Sequence, residues 1–399
     1  MNTPVNVPAP VFRGGCPDGV SGRSHNANVA AVSGVDETNR AVGLPARNHL
    51  FFNQPAGVGE SDHHQVVKAS CRYRPIQLLL LLALVLLSFA PCASAQAINR
   101  IFFFGDSLSD PGNHFIFTHA SSRQPFLLGP PDDSYDIGGH HFSDGATWAE
   151  ELATQLHSPN SGSPALRVPG VFTDYAVGRA RARAGATEFP YFDLTTQVQQ
   201  YLKDFAGQQA QPTDLFVIWI GGNDVDDALS ALSTDPSGAT SAGIIQAAVA
   251  AVITNVQTLY FGAGARMFLI VNVPDFANTP YVRFLGANVD PQIPALATLF
   301  TGSYDGALSQ VVAALNAGLP LQQNQFIRLL DVNALFSQIL ASPDNFGLSN
   351  TTDRCTVPGV IGNAICSTPH QYLFWDGIHP TTTVHSAVAQ RALEVLPPQ

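Results

Sequence analysis

Lysine is almost missing from this chain: Lys68 and Lys203 are the only two in 399 residues. No stretch gathers lysine and arginine into a basic run. Nucleic-acid binding needs such a surface, so that class of partner has no support in the sequence. The balance is acidic, with 19 Lys+Arg against 30 Asp+Glu and a net charge of −11. Seven of the basic and five of the acidic residues precede Gln96, so the remainder carries 12 against 25, or −13. Such a surface does not adhere to anionic membranes by charge alone. Cysteine is scarce too. Of five, only Cys355 and Cys366 lie beyond residue 95, and no further cysteine or clustered histidine joins them at zinc spacing. His140 and His141 are adjacent and point in different directions, so they make no metal site unaided. The longest apolar run, residues 76–90, has about 15 residues. That is short of the ~20 that span a bilayer.

What remains is 45% hydrophobic and 12% charged, a globular composition long enough for one large α/β domain. Residues 1–70 are rich in Gly, Pro, Asn, Val and Ala without periodicity. They are expected to be disordered or a mis-assigned extension of the mature protein. Arg72-Tyr73-Arg74, the apolar run and Ala93-Ser94-Ala95 follow in the order of a signal peptide: basic start, apolar centre, small-residue cleavage site. Residues 71–95 are expected to be that peptide, with a signal-anchor helix as the alternative. Methionine occurs only at Met1 and Met267, so a signal this deep implies translation from a non-Met codon near Val66 or Val67. Residues 96–399 then form a single exported domain, secreted or periplasmic, with no stable membrane insertion after cleavage, and a monomer. In an oxidising compartment the pair Cys355 and Cys366 reads as a disulfide, with two free thiols as the alternative.

Ile101-Phe102-Phe103-Phe104 reads as a buried strand. Gly105 ends it, and a polar loop carries Asp106, Ser107, Ser109, Asp110 and Asn113. A serine there stands at the carboxyl end of a strand, where open α/β sheets place ligands. An ordinary turn uses the same residue types. Near the other end, Asp376 and His379 lie three apart in Trp375-Asp376-Gly377-Ile378-His379-Pro380. A serine nucleophile needs a base, and the base needs a carboxylate to fix its tautomer. Alone, the D-x-x-H pair also fits a metal-ligand pair or a helix N-terminus, with Pro380 opening the next helix at its first position.

Together these stretches resemble the GDSL family of esterases and lipases, the SGNH hydrolases. Gly105-Asp106-Ser107-Leu108 and Asp376-Gly377-Ile378-His379-Pro380 match that family's nucleophile and Asp/His blocks residue by residue. The resemblance implies Ser107 as nucleophile, His379 as base and Asp376 as its orienter. The G-x-S-x-G elbow of α/β-hydrolases is absent around Ser107. Two further blocks are similar to those that supply oxyanion donors. In Asp174-Tyr175-Ala176-Val177-Gly178-Arg179-Ala180, Gly178 is the implied donor, while Asp174 stands where the family usually has Asn and Arg179 where it often has Gly. In Gly221-Gly222-Asn223-Asp224, the donor is the Asn223 amide. The implied oxyanion hole is Ser107, Gly178 and Asn223, and no cofactor is implied.

Strand and helix patterns alternate. Strands are expected at 98–104, 174–177, 214–220, 266–273 and 326–332. Helices are expected at 146–156, 194–205, 239–261 and 381–396, with two more within 291–315. Such alternation predicts a parallel sheet with helices on both faces. The resemblance implies a flavodoxin-like three-layer α/β/α sandwich whose five strands run in the order 2-1-3-4-5. Arg179, Arg181 and Arg183 alternate at strand spacing and are expected on a solvated edge strand. Asp110 and Asn113 are expected to bond their own turn, with positioning of the active-site loop as the alternative, and Asp224 is expected to be structural. The expected substrate is a small-molecule or lipid ester. Apolar residues of segments 114–141 and 276–300 (Phe115, Phe117, Phe126, Leu127, Leu128, Phe276 and Phe284) are expected to wall the pocket and favour an acyl chain. Phospholipase, acyltransferase and polysaccharide O-acetyl esterase activities share this constellation, and a catalytically silent binding protein is the remote alternative.

Overall fold

The computed structural model describes residues 97–119, 124–126, 140–185, 192–322 and 324–398. The expected extension (1–70) and signal peptide (71–95) lie outside the described residues, as do Leu127 and Leu128.

Among the described residues the first element is β1 (Arg100–Gly105), which is buried from Ile101 onward. It is followed by α1 (Asn113–Thr118), α2 (Trp148–Gln155) and α3 (Leu194–Asp204). Then come β2 (Asp214–Trp219), α4 (Gly222–Ala231), α5 (Ala239–Thr258) and β3 (Met267–Val271). The second half holds α6 (Pro280–Asn288), α7 (Ile293–Gly318), β4 (Phe326–Leu330) and α8 (Val332–Ala341). A parallel pair, β5 (Asn350–Arg354) and β6 (Tyr372–Phe374), precedes the closing helix α9 (Thr382–Val395).

β1 to β4 form a parallel sheet in the order β1-β2-β3-β4. Alternate side chains leave opposite faces of a strand, and here both faces are covered. Phe102, Phe104, Phe216, Ile218, Phe268 and Ile270 pack with α3, α4, α5 and α7. Ile101, Phe103, Leu215, Val217, Leu269 and Val271 pack with α2, α8 and α9. Burial on both sides explains why these strands are apolar runs and not alternating patterns. The result is the expected three-layer α/β/α sandwich.

The expected second strand is a paired segment only. Phe103 N–H donates to Thr173 O (3.1 Å), Tyr175 N–H to Phe103 O (2.8 Å) and Val177 N–H to Gly105 O (3.1 Å). The segment therefore lies beside β1, as the order 2-1-3-4-5 requires. On its far side Asp174 pairs with the backbone around Pro164, donating to Ser163 O (3.2 Å) and accepting from Ala165 N–H (2.8 Å), and the Asn113 side-chain amide adds bonds to the carbonyls of Asp174 (2.8 Å) and Ala176 (2.9 Å).

Two other expectations are corrected. Segment 291–315 is one helix, α7, not two. Its buried stripe, Ala297, Phe300, Thr301, Tyr304, Leu308, Val312 and Leu315, runs through at helical spacing, and that packing outweighs the low helix propensity of its glycines. Pro380 does not open α9: Thr381 is the N-cap and Pro380 precedes it, bridged to Phe374.

Candidate active site

The site forms where the sheet's carboxyl edge meets the loop before α9. β1 can end as it does only because residue 105 is glycine. A Cβ at Gly105 would fall 2.4 Å from the Trp219 carbonyl oxygen, closer than real contacts allow. The buried Gln197 clamps the same residue, accepting from Gly105 N–H (2.9 Å) and donating to Gly105 O (2.7 Å). Beyond it, Asp106 accepts from Leu108 N–H (3.1 Å). The turn presents Ser107 on the floor of an open cleft of about 870 Å³. Burial, opposed by the Leu108 hydrogen bond, pushes the Asp106 carboxyl up to about 7.

His379 arrives from β6. Asp376 Oδ1 accepts the N–H groups of Ile378 (2.9 Å) and His379 (2.7 Å), which folds the loop tightly. Its other oxygen lies 2.7 Å from His379 Nδ1. His379 Nε2 lies 2.8 Å from Ser107 Oγ. The three expected residues thus form one hydrogen-bonded chain, and all three are buried.

The loop is braced from three directions. The Phe142 ring sits 5.1 Å from the His379 ring. Ser143 Oγ donates to Pro380 O (2.9 Å), and Thr382 N–H to Asp144 (2.7 Å). On another side, Tyr281 N–H at the start of α6 donates to Gly377 O (2.9 Å). The third brace is the disulfide loop: Cys355 and Cys366 are bonded, and Cys355 N–H donates to Phe374 O (3.0 Å) and Thr356 N–H to Trp375 O (2.9 Å).

The opposite rim corrects one assignment. Asn223, the second residue of α4, lines the cleft, and its amide donates to Ala180 O (3.0 Å). Gly178 does not line it. Its N–H is committed to Asp110 Oδ2 (2.7 Å), and a Cβ there would fall 2.3 Å from the Phe142 ring. The neighbouring residue, Arg179, lines the cleft, in the left-handed region at φ 69°. Residues other than glycine rarely adopt that conformation, which fits a position where related chains often have glycine.

Asp110 and Asn113 do far more than close their own turn. Asp110, fully buried, accepts from Gly112 (2.7 Å), Asn113 (2.6 Å), His114 (3.0 Å) and Gly178. It therefore caps α1 and anchors the far rim at once. The arginines are not on a solvated strand. Arg181 pairs with Asp227 (2.8 Å), Arg183 with both Asp224 (2.7 Å) and Asp227, and all of these groups are at least half-buried. Asp224 is structural, as expected. Of the apolar residues expected to wall the pocket, Phe276 does so, while Phe115, Phe117, Phe126 and Phe284 do not. Val273, Phe336, Phe374 and Ile378 complete the apolar lining. Gln197 and Asp226, which also matter here, carry no short motif. Only their place after a helix cap and a G-x-N-D block could have drawn attention to them. Among the described residues no group of three or more His, Cys, Asp or Glu is arranged to hold a metal ion.

The chain is similar to several known proteins. The chain is 25% identical over 354 residues to a phosphatidylcholine-sterol acyltransferase of Aeromonas hydrophila, covering 78% of this chain and 94% of that one. It is 25% identical over 367 residues to Lipase 1 of Photorhabdus luminescens, covering 78% of this chain but only 52% of that protein. A carbohydrate acetylesterase of Sinorhizobium meliloti, Est24, superposes with a TM-score of 0.37 and 12% identity, over 75% of this chain and all of that one. The sequence profile of GDSL-like lipases and acylhydrolases matches residues 101–392, and the chain belongs to that family of ester-bond hydrolases.

Proposed function

We propose that the chain is an exported serine carboxylic-ester hydrolase that works through an acyl-enzyme. The observation that carries this reading is the unbroken chain from Ser107 through His379 to Asp376, at 2.8 and 2.7 Å, on the floor of the cleft. A serine hydroxyl is a weak nucleophile until a base takes its proton. His379 Nε2 is within reach of that proton, and Asp376 holds Nδ1–H and stabilises the imidazolium. Ser107 Oγ bonds to the ester carbonyl carbon while its proton passes to His379. The resulting oxyanion collapses and expels the alcohol, which takes the proton back from His379. Water, deprotonated by the same base, then releases the acid and restores Ser107. These steps use only groups of this chain and call for no metal or organic cofactor.

For the oxyanion we assign the Ser107 N–H, the Asn223 amide and the Arg179 N–H, the last in place of Gly178, whose N–H is committed to Asp110. Loss of one such donor typically costs ~10²–10³ in rate. The apolar lining favours an acyl chain over a sugar, so a lipid or small-molecule ester is preferred to a polysaccharide acetate. The disulfide supports an oxidising compartment, secreted or periplasmic. All catalytic groups come from one chain, so a monomer suffices. The Aeromonas relative's name raises acyl transfer to an alcohol as a second reading. It differs only in whether water or an alcohol accepts the acyl group.

The test is hydrolysis of p-nitrophenyl esters from acetate to palmitate, with product analysis in the presence of an added alcohol. Wild type is expected to be active and Ser107→Ala to lose at least ~10³ in kcat. Activity surviving in Ser107→Ala would overturn the nucleophile.

A further inference from the structure

The hydrolytic steps leave one carboxylate of the cleft without a task. Asp226 of α4 lines the cleft, and its Oδ1 is buried without a hydrogen-bond partner. The cations nearby are already matched. Arg181 gives Nε and Nη2 to Asp227 (3.1 and 2.8 Å) and Nη1 to the Arg179 carbonyl (2.8 Å). Arg183 gives Nε to Asp224 (2.7 Å) and Nη2 to Asp227. Arg179 lines the same cleft and has interactions of its own. Asp224 and Asp227 hold these hydrogen bonds, while Asp226 makes none with the guanidiniums and feels Arg181 only through its charge. Partial burial pushes this carboxyl up to about 6. It is still ionised at neutral pH.

Two aromatic rings line the cleft with it. Phe276 and Tyr281 meet edge-on, with centroids 6.3 Å apart. Tyr281 is tied by its backbone to Gly377 (2.9 Å), between Asp376 and His379, so its position is fixed relative to the base. Burial, and after it the charge of Asp226, raises the Tyr281 phenol above its ordinary value. The two side chains are therefore within electrostatic reach. A carboxylate with an unpartnered oxygen, in a cleft that aromatic rings also line, is the chemistry that holds an organic cation: the carboxylate meets the charge, and the rings meet its polarised methyl or methylene groups.

We propose that Asp226, with Tyr281 and Phe276, is a specificity site for the alcohol half of the ester and takes an alkylammonium group of the choline or ethanolamine type. This rests on the ester-hydrolase reading and adds to it which alcohol the cleft prefers. The bond cleaved is unchanged, and the ammonium departs with the alcohol.

The test compares butyrylcholine with its uncharged isostere, 3,3-dimethylbutyl butyrate, on the purified protein. Wild type is expected to favour the choline ester in kcat/KM by roughly tenfold or more. Asp226→Asn, which keeps the shape and removes the charge, is expected to bring that ratio close to one. Tyr281→Leu is expected to lower it. Calorimetric titration of Ser107→Ala with choline, and separately with ethanolamine, reads the site without turnover. Saturable binding of either cation, weakened about tenfold or more by adding Asp226→Asn, supports the proposal. Choline alone binding points to the rings reading the methyl groups, and both binding alike to the carboxylate dominating. No saturable binding of either, no preference between the two esters, or an equal Asp226→Asn loss on both would overturn it. Hydrolysis of p-nitrophenyl butyrate without cation preference sinks this site alone. Choline binding with no ester hydrolysed sinks the hydrolase reading and leaves the site standing.

Discussion

The two rims of the cleft are built on opposite plans. The 376–379 loop takes its shape from bonds between residues two and three apart, from Asp376 to the N–H groups of Ile378 and His379, and distant groups such as Ser143 and Tyr281 then brace the shape already formed. The 174–183 rim is held by partners far away in sequence. Gly178 answers to Asp110, 68 residues off, the carbonyls of Asp174 and Ala176 to Asn113, and Arg181 to Asp227, 46 residues off. A local turn is written in a short motif, so substitutions there should strike chemistry and spare the fold. A rim assembled from distant pairs should lose stability and chemistry together. The variants below divide along that line.

The largest effect is expected on the local rim. In Asp376→Asn the retained oxygen can still accept the two N–H groups that shape the loop, while the charge that pairs with His379 Nδ1 is lost. The wrong tautomer is then as accessible as the right one. We expect kcat to fall ~10³–10⁴, as in other serine triads, with the thermal midpoint nearly unmoved. Ester hydrolysis and a melt on the same sample check both halves. A midpoint that collapsed with kcat would erase the contrast between the rims.

The next effect belongs to the distant rim. Asp110→Ala strips the acceptor from four N–H groups, those of Gly112, Asn113, His114 and Gly178. Each buried donor left unmatched costs ~1–3 kcal/mol, not additively, so a net loss of about 3 kcal/mol or more is expected. Because Arg179 follows Gly178, kcat should fall as well. Urea unfolding together with kinetics tests this. A stable but inactive Asp110→Ala would make Asp110 a group of the chemistry, not a strut.

The same division explains what the sequence discloses. Ser107, Asp376 and His379 sit in blocks whose local geometry is fixed by their neighbours, and the structure brings them within hydrogen-bond reach of one another. The buried strands were legible because their runs of Phe, Leu, Ile and Val have no polar face to show. Gly178 was misread because the glycine in the motif looks like the donor, yet its N–H is claimed by Asp110, a pairing no local pattern records. Residues 291–315, expected to hold two helices, contain Gly302 and Gly306. Neither position would meet another atom within 4 Å if it carried a Cβ. The glycines mark no kink, and the apolar stripe from Ala297 to Leu315 carries the helix through. Asp226 was invisible because its significance lies in an oxygen without a hydrogen-bond partner.

A smaller, pH-dependent effect separates the rims again. Asp174 is buried, with one oxygen on Ala176 N–H (2.9 Å) and the other unpartnered. Burial, reinforced by the charges of Asp110 and Glu150, raises its pKa well above 3.8. The folded state therefore holds this proton more tightly than the unfolded chain. Its contribution to stability is full below 3.8 and is lost as pH rises through the folded value. Asn has no proton to lose. Asp174→Asn should gain on wild type as pH rises from about 4 toward the folded value, read as a widening gap in thermal midpoint. A gap that stayed flat would mean that Asp174 does not titrate over this range.

The smallest expected effect tests the reassigned donor. Arg179 holds a left-handed backbone at φ 69°, which costs a side chain about 1 kcal/mol or more. Glycine relieves that strain but brings back ~0.5–1 kcal/mol of unfolded-state entropy, so the backbone terms of Arg179→Gly nearly cancel. Its backbone N–H is kept, so kcat should change far less than the ~10²–10³ that follows loss of an oxyanion donor. Gly178→Ala is the counterpart, because its Cβ would meet the Phe142 ring at 2.3 Å, and that ring packs on His379. It should lose more activity than Arg179→Gly although it adds only a methyl group. The reverse order, with a hundredfold loss in Arg179→Gly, would make the guanidinium the acting group and return the third donor to the open question that the motif alone poses.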